Sequence, residues 1–169
     1  MENTLQTFEQ KLITELMPIR WRITGTLSFK DSWMRHRDNS QKRFEKGHWL
    51  MTRLGQILNV PRKKLGYMFK DELSCGIDVE DSTTGHLHFL LSERHIERID
   101  YIKNILSGLW HGPKVKLPRF GLCSIKDFNS SKTFEGISYT VKTKKFRKIV
   151  FNDLYFSTSL EKEINFHKK

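Results

Sequence analysis

Cysteine is scarce in this chain of 169 residues: there are two, Cys75 and Cys123, far apart and in different apolar segments. A disulfide framework is therefore not expected, and the thiols read as small buried hydrophobes of a reducing compartment. No apolar run approaches the roughly 20 residues that a membrane-spanning helix needs, and the N-terminus lacks the apolar core of a signal peptide. The expectation is a soluble, intracellular (cytoplasmic) protein with no membrane partner. Internal repeats and low-complexity stretches are also missing, and the length suits one globular domain with a real core.

Acidic residues are in short supply. Against 19 Asp and Glu stand 30 Lys and Arg, a formal charge of +11, beyond what solubility needs and suited to a polyanionic partner such as nucleic acid. Basic residues dominate residues 20–70, among them the cluster Arg62, Lys63 and Lys64, and again residues 114–148. The acids gather between these stretches, at Asp71, Glu72, Asp78, Glu80 and Asp81.

Leu5, Phe8, Leu12, Ile13 and Leu16 keep helical spacing and stop at Pro18, predicting an N-terminal amphipathic helix over residues 1–18. Trp21, Ile23, Leu27 and Phe29 alternate with Arg22, Thr24, Thr26 and Ser28, the pattern of a half-buried strand with a polar face. Ser40 caps a helix that runs to Pro61. Residues 67–80 read as strand, 81–85 as a turn and 86–91 as the returning strand of a hairpin. A helix opened by Ser92 and Glu93 carries Ile96, Ile99, Ile102, Ile105, Leu106 and Leu109 on one face until Gly112 and Pro113. A strand over 119–128, a helix over 131–144 and a strand over 149–156 complete a domain spanning 19–158, followed by a charged, frayed tail over 159–169. This order predicts an α+β fold: about five strands in a mainly antiparallel sheet with helices packed on it, close to the split β-α-β arrangement.

The chemistry centres on Gly85-His86-Leu87-His88-Phe89. On a strand His86 and His88 share a face while Leu87 and Phe89 enter the core. Two neutral imidazoles with one carboxylate suit Mn²⁺, Mg²⁺ or a similar divalent ion and leave positions open for water or a phosphate. The same pair alone serves equally well as two structural imidazoles; the neighbouring acids favour the cation. A tight hairpin would register Glu80 against His86 and Asp78 against His88, so Asp78, then Glu80, are the expected third ligands, with Glu72 as an outsider. Tyr139 and Lys142 lie three apart, on one face of the predicted helix, and can address one phosphate. A phenol, with a reference pKa of about 10, becomes a nucleophile only when its anion is stabilised. Lys142, Lys144, Lys145, Arg147 and Lys148 surround it with positive charge. The other histidines, His48 and His95 in predicted helices among them, have no partner spacing and read as structural, and Tyr155, in a strand without a neighbouring cation, reads as core.

Ile23-Thr24-Gly25-Thr26-Leu27-Ser28, the His86-Leu87-His88 pair and Tyr139-Thr140-Val141-Lys142 resemble, in order and element type, the three motifs of HUH endonucleases, best matching rolling-circle replication initiators of small plasmids and single-stranded DNA viruses. The resemblance spans roughly residues 20–156. It implies a metal-dependent nick in single-stranded DNA at an origin: Tyr139 attacks the phosphodiester, His86, His88 and one acid hold the ion, and Lys142 orients the DNA. Arg22, Thr24 and Thr26, with Lys144, Lys145 and Arg147, would line the DNA. No GxxxxGK[ST] motif follows, so unwinding would fall to a separate helicase alongside host replication proteins. A single-tyrosine transposase of the same fold, and a non-catalytic nucleic-acid-binding module of the RNA-recognition type, are the competing readings; the latter requires a Lys/Arg-Gly-Phe/Tyr strand motif that the chain lacks.

Overall fold

A computed structural model describes residues 2–75, 83–113, 117–141, 154–162 and 164. Helix α1 (Glu2–Leu16) leads into strand β1 (Trp21–Leu27), with the Trp21 indole Nε1 donating to the Leu16 carbonyl at 3.1 Å. The short helix α2 (Ser32–Arg35) and a 3₁₀ turn precede α3 (Ser40–Leu58). The hairpin strands β2 (Tyr67–Cys75) and β3 (Thr83–Ser92) come next, then α4 (Ile99–His111), β4 (Cys123–Asp127), α5 (Thr133–Val141), β5 (Leu154–Phe156) and α6 (Thr158–Glu161).

The five strands form one sheet in the order β4-β1-β3-β2-β5, and every neighbouring pair is antiparallel. Because β1 and β2 both run antiparallel to β3, they are parallel to each other and split by it. This is the split β-α-β arrangement expected from the sequence, with α3 as the crossover. Among the described residues no helix is long and apolar enough to cross a membrane.

Strand alternation sorts side chains onto two faces. Ile23, Leu27, Phe69, Leu87, Phe89 and Leu91 pack with Leu50, Met51 and Leu54 of α3 and Ile102, Leu106 and Trp110 of α4. On the opposite face Met68, Leu90 and Phe156 pack with Leu12 and Leu16 of α1, Ile137 and Val141 of α5 and Leu160. That second face is apolar only at one end. Continuing along β2 and β3, Met68 gives way to Lys70 and Glu72, and Leu90 to His88 and His86, so the sheet turns polar where the helices stop covering it.

Several boundaries differ from expectation, among them the start of β3 at Thr83, inside the turn expected over 81–85. The helix expected from Ser92 begins at Ile99, because Ser92 still pairs with the sheet, the Glu93 amide donates to the Arg20 carbonyl at 2.9 Å, and His95 adopts φ 62°. The strand expected from Arg119 begins at Cys123; ahead of it Gly121 packs directly on the Ser28 backbone, leaving single hydrogen bonds from Ser28 to Leu122 and Lys30 to Phe120. The tail expected to fray after Ser159 holds Leu160 and Ile164 buried in the second core. Cys123 is a free, half-buried thiol whose pKa is raised by burial. Residues 142–153, including the extensions expected for α5 and β5, lie outside the described residues.

Beneath β3 a charged pair is sealed in the core. The Arg43 guanidinium grips Asp71 through Nε–Oδ1 at 2.6 Å and Nη2–Oδ2 at 2.8 Å, while Nη1 donates to the carbonyls of Met34 and His36. Arg43 is fully buried, and a Cβ at Gly85 would collide with its guanidinium, so the glycine ahead of the histidine pair is required for close approach. Removing one partner leaves the other charge buried and unpaired. Asp71→Asn or Arg43→Met is expected to lower unfolding free energy by about 3–5 kcal/mol in urea titrations.

His48 on α3 packs against Tyr155 (ring centroids 4.0 Å) and Phe69 (5.6 Å), and its Nδ1 lies 3.3 Å from the Tyr67 hydroxyl. Burial, then the Arg62 charge, lowers its pKa to about 4. Between pH 6.5 and 4 the unfolded chain takes up a proton that folded His48 refuses, so stability falls as pH drops through that window. After allowance for partial exposure the loss is about 1–2 kcal/mol; in His48→Leu, denaturation curves compared across this range should lack that component.

Candidate metal centre and tyrosine

The polar end of the sheet brings three chain segments together. β2 and β3 pair with Glu72 opposite His86 and Lys70 opposite His88, and β1 places Thr26 opposite His88 on the other side. The Glu72 Oε2 atom lies 2.5 Å from His88 Nε2 and 3.7 Å from His86 Nε2, and the two Nε2 atoms are 3.2 Å apart. One ligand atom from each residue thus converges within 4.8 Å of the others. Two imidazole nitrogens and a carboxylate oxygen, aimed at one point beside an open groove, are a donor set that fits a divalent cation with coordination positions to spare.

His88 is held from behind. Its Nδ1 lies 3.1 Å from the Thr26 hydroxyl, a partner that can accept from Nδ1–H when the Nε2 lone pair faces a cation. Burial by itself would raise the Glu72 pKa, but the His88 hydrogen bond and the positive charges of Lys70, His88 and His86 outweigh it and hold the carboxyl below its usual range. The acid is thereby kept ionised, as a metal ligand must be.

Tyr139 stands beside this cluster. Ile137, Ser138 and Val141 are buried and anchor α5, leaving Tyr139 75% exposed with its ring 6.0 Å from that of His88, edge to face. Both line a groove of about 410 Å³ with Thr24, Thr26, Lys126 and Lys132.

Of the residues expected from sequence, His86, His88, Tyr139, Thr24 and Thr26 meet here. Arg22 does not: it lines a separate groove with Glu93 and Asp127, its Nη1 4.0 Å from the Glu93 carboxylate. The expected register, with Glu80 against His86 and Asp78 against His88, is not the one formed. The Phe69–Phe89 and Tyr67–Leu91 pairs align the strands eight residues differently, so Glu72 takes the position assigned to Glu80. Asp78, Glu80, Lys142, Lys144, Lys145 and Arg147 lie outside the described residues. Lys70, fully buried at the rim of the site, was not singled out from the sequence; its signal is the run Met68, Lys70, Glu72 on one strand face. Compared with known proteins, the chain matches no family model, no curated protein and no solved structure.

By calorimetric titration with Mn²⁺, Glu72→Gln is expected to abolish measurable high-affinity binding. Thr26→Val, which removes only the hydroxyl behind His88, should weaken binding about tenfold or more.

Proposed function

We propose that this protein nicks and rejoins single-stranded DNA at a replication origin through a tyrosine-linked intermediate, the activity that its resemblance to rolling-circle initiators implies. The observation that carries the reading is the Tyr139 ring against His88, itself part of the Glu72, His86 and His88 cluster, in an open groove of a strongly basic chain. The sheet face that an RNA-recognition domain fills with stacking aromatics here presents Thr24, Thr26, His86, His88 and Glu72.

Glu72, His86 and His88 would hold Mn²⁺ or Mg²⁺, which when bound withdraws charge from a phosphate oxygen. The remaining work belongs to the chain. Lys126 and Lys132 line the groove and draw the DNA backbone in by its charge, a contact without sequence information. The Tyr139 Oη attacks phosphorus: the Oη–P bond forms as P–O3′ breaks, the phenolic proton is lost, and O3′ takes one up. The products are a 5′-phosphotyrosine and a free 3′-OH, and attack by a later 3′-OH reverses the linkage. Lys142 would orient the DNA or the phosphotyrosine. A separate helicase and host replication proteins, in the host cytoplasm, would supply unwinding and synthesis.

Incubation with single-stranded DNA and Mn²⁺ should give a covalent protein–DNA adduct that survives denaturing electrophoresis and is lost in Tyr139→Phe. His86→Ala and Glu72→Gln should lower the adduct rate by about 10² or more. DNA binding without an adduct in either Mn²⁺ or Mg²⁺ would overturn the reading.

A further inference from the structure

A buried cation stands against the metal centre without belonging to its donor set. Lys70 lies two residues before Glu72 on β2, so both side chains are on the same face of the sheet. Across the ladder it is opposite His88 on one side and Leu154 of β5 on the other. Met68 and Leu154 belong to the second core, so Lys70 occupies the position where apolar packing ends and the donors begin. It is fully buried. Lysine is rarely found so deep, because taking an ammonium out of water is unfavourable unless nearby negative charge and hydrogen bonds offset it.

We propose that Lys70 is a positioning residue of the metal centre: its charge competes with the cation for the Glu72 carboxylate, so that the ion is held loosely and keeps more of its charge for a phosphate oxygen. The inference rests on the reading of Glu72, His86 and His88 as cation ligands beside a nucleophilic tyrosine. Being sealed from solvent, Lys70 does not touch the DNA and acts through Glu72. Two residues along a strand span about 7 Å, and water screens poorly behind the sheet, so a divalent ion on the donors feels the ammonium. A carboxylate shared between two positive centres donates less to each. The metal is then bound more weakly and remains the stronger Lewis acid.

The surroundings favour this role over simple packing. An apolar side chain at position 70 would continue the surface of Met68, Leu90 and Leu154 without burying a charge. Asp71, next along the strand, faces the opposite core and is taken by Arg43. Glu72 already responds to Lys70: burial would lift its carboxyl, but the His88 hydrogen bond and then the Lys70 charge bring it down, the latter more strongly than the charges of His88 and His86. Before a cation arrives, the ammonium therefore keeps Glu72 ionised against the histidine pair. Lys126 and Lys132 also approach the site, but from the open groove, where solvent screens them.

Calorimetric titration of the full chain with Mn²⁺ and Mg²⁺ tests this in Lys70→Met and Lys70→Gln, one apolar and one polar, both uncharged and close to lysine in length. Each should bind Mn²⁺ about tenfold more tightly than the unaltered chain, the opposite of what a damaged ligand set does. Mg²⁺ should tighten by the same factor, because charge repulsion is blind to the ion, whereas a displaced ligand penalises Mg²⁺ more through its strict octahedral geometry. At saturating Mn²⁺ the rate of adduct formation with single-stranded DNA should fall about tenfold in both variants, so that affinity and rate move in opposite directions. Weaker or unchanged Mn²⁺ binding in a folded variant, disagreement between the two variants, or an undiminished adduct rate would overturn the inference while leaving the nicking reading intact. Failure of both variants to fold would make Lys70 a structural residue and equally overturn it. Tighter metal binding with no Tyr139-dependent adduct in any of the proteins would support the competition for Glu72 and sink the nicking reading instead.

Discussion

The pairing of β2 with β3 is the constraint on which the rest depends. Phe69 lies opposite Phe89 and Tyr67 opposite Leu91, all four in the core under α3 and α4. A slip of one residue would turn Phe69 out and drive Glu72 inward, so burial of these rings specifies the register far more strongly than the turn does. With the rings fixed, the alternate residues have no freedom. Met68 and Leu90 enter the second core, Glu72 meets His86, and Lys70 meets His88. The core on one face of the hairpin thereby sets the donor geometry on the other.

Much of this arrangement is legible in the sequence, for physical reasons that differ by element. Residues 21–27 and 40–58 each carry one strongly apolar face at the period of their structure, and they form the strand and helix that the period demands. His86 and His88 share a face because any strand would make them do so. The third donor is illegible by the same rule: positions 72, 78 and 80 have the same parity, and the choice among them is made by aromatic pairing, which no local pattern encodes. The start of α4 is lost similarly. Ile96 is in phase with the helix and buried, yet the Glu93 amide bonds to distant Arg20 and the chain makes a turn through Arg94 and left-handed His95 before the helix starts. In the C-terminal tail the charged neighbours of Leu160 and Ile164 hide two core residues. Thr26 reads as a DNA contact on a polar face, and only the fold brings its hydroxyl to the His88 ring.

β2 is charged on both faces: Asp71 looks into the core toward Arg43, whereas Glu72 and Lys70 border the site. Burying so many ions is unfavourable by itself, and paired geometry offsets it only in part. What the Arg43–Asp71 pair achieves is placement. It draws the carbonyls of the 34–36 segment onto α3 and passes under Gly85. The glycine that opens the histidine motif is thus explained by what lies beneath the sheet.

Thr26, Glu72, the histidine pair and Tyr139 come from β1, β2, β3 and α5, elements distant in sequence that meet only when the whole sheet is closed. Such non-local contacts are the last to be rewarded during folding. A nascent or partly unfolded chain therefore carries each of these side chains apart from the others, and the donor cluster beside Tyr139 comes into being only with the completed fold.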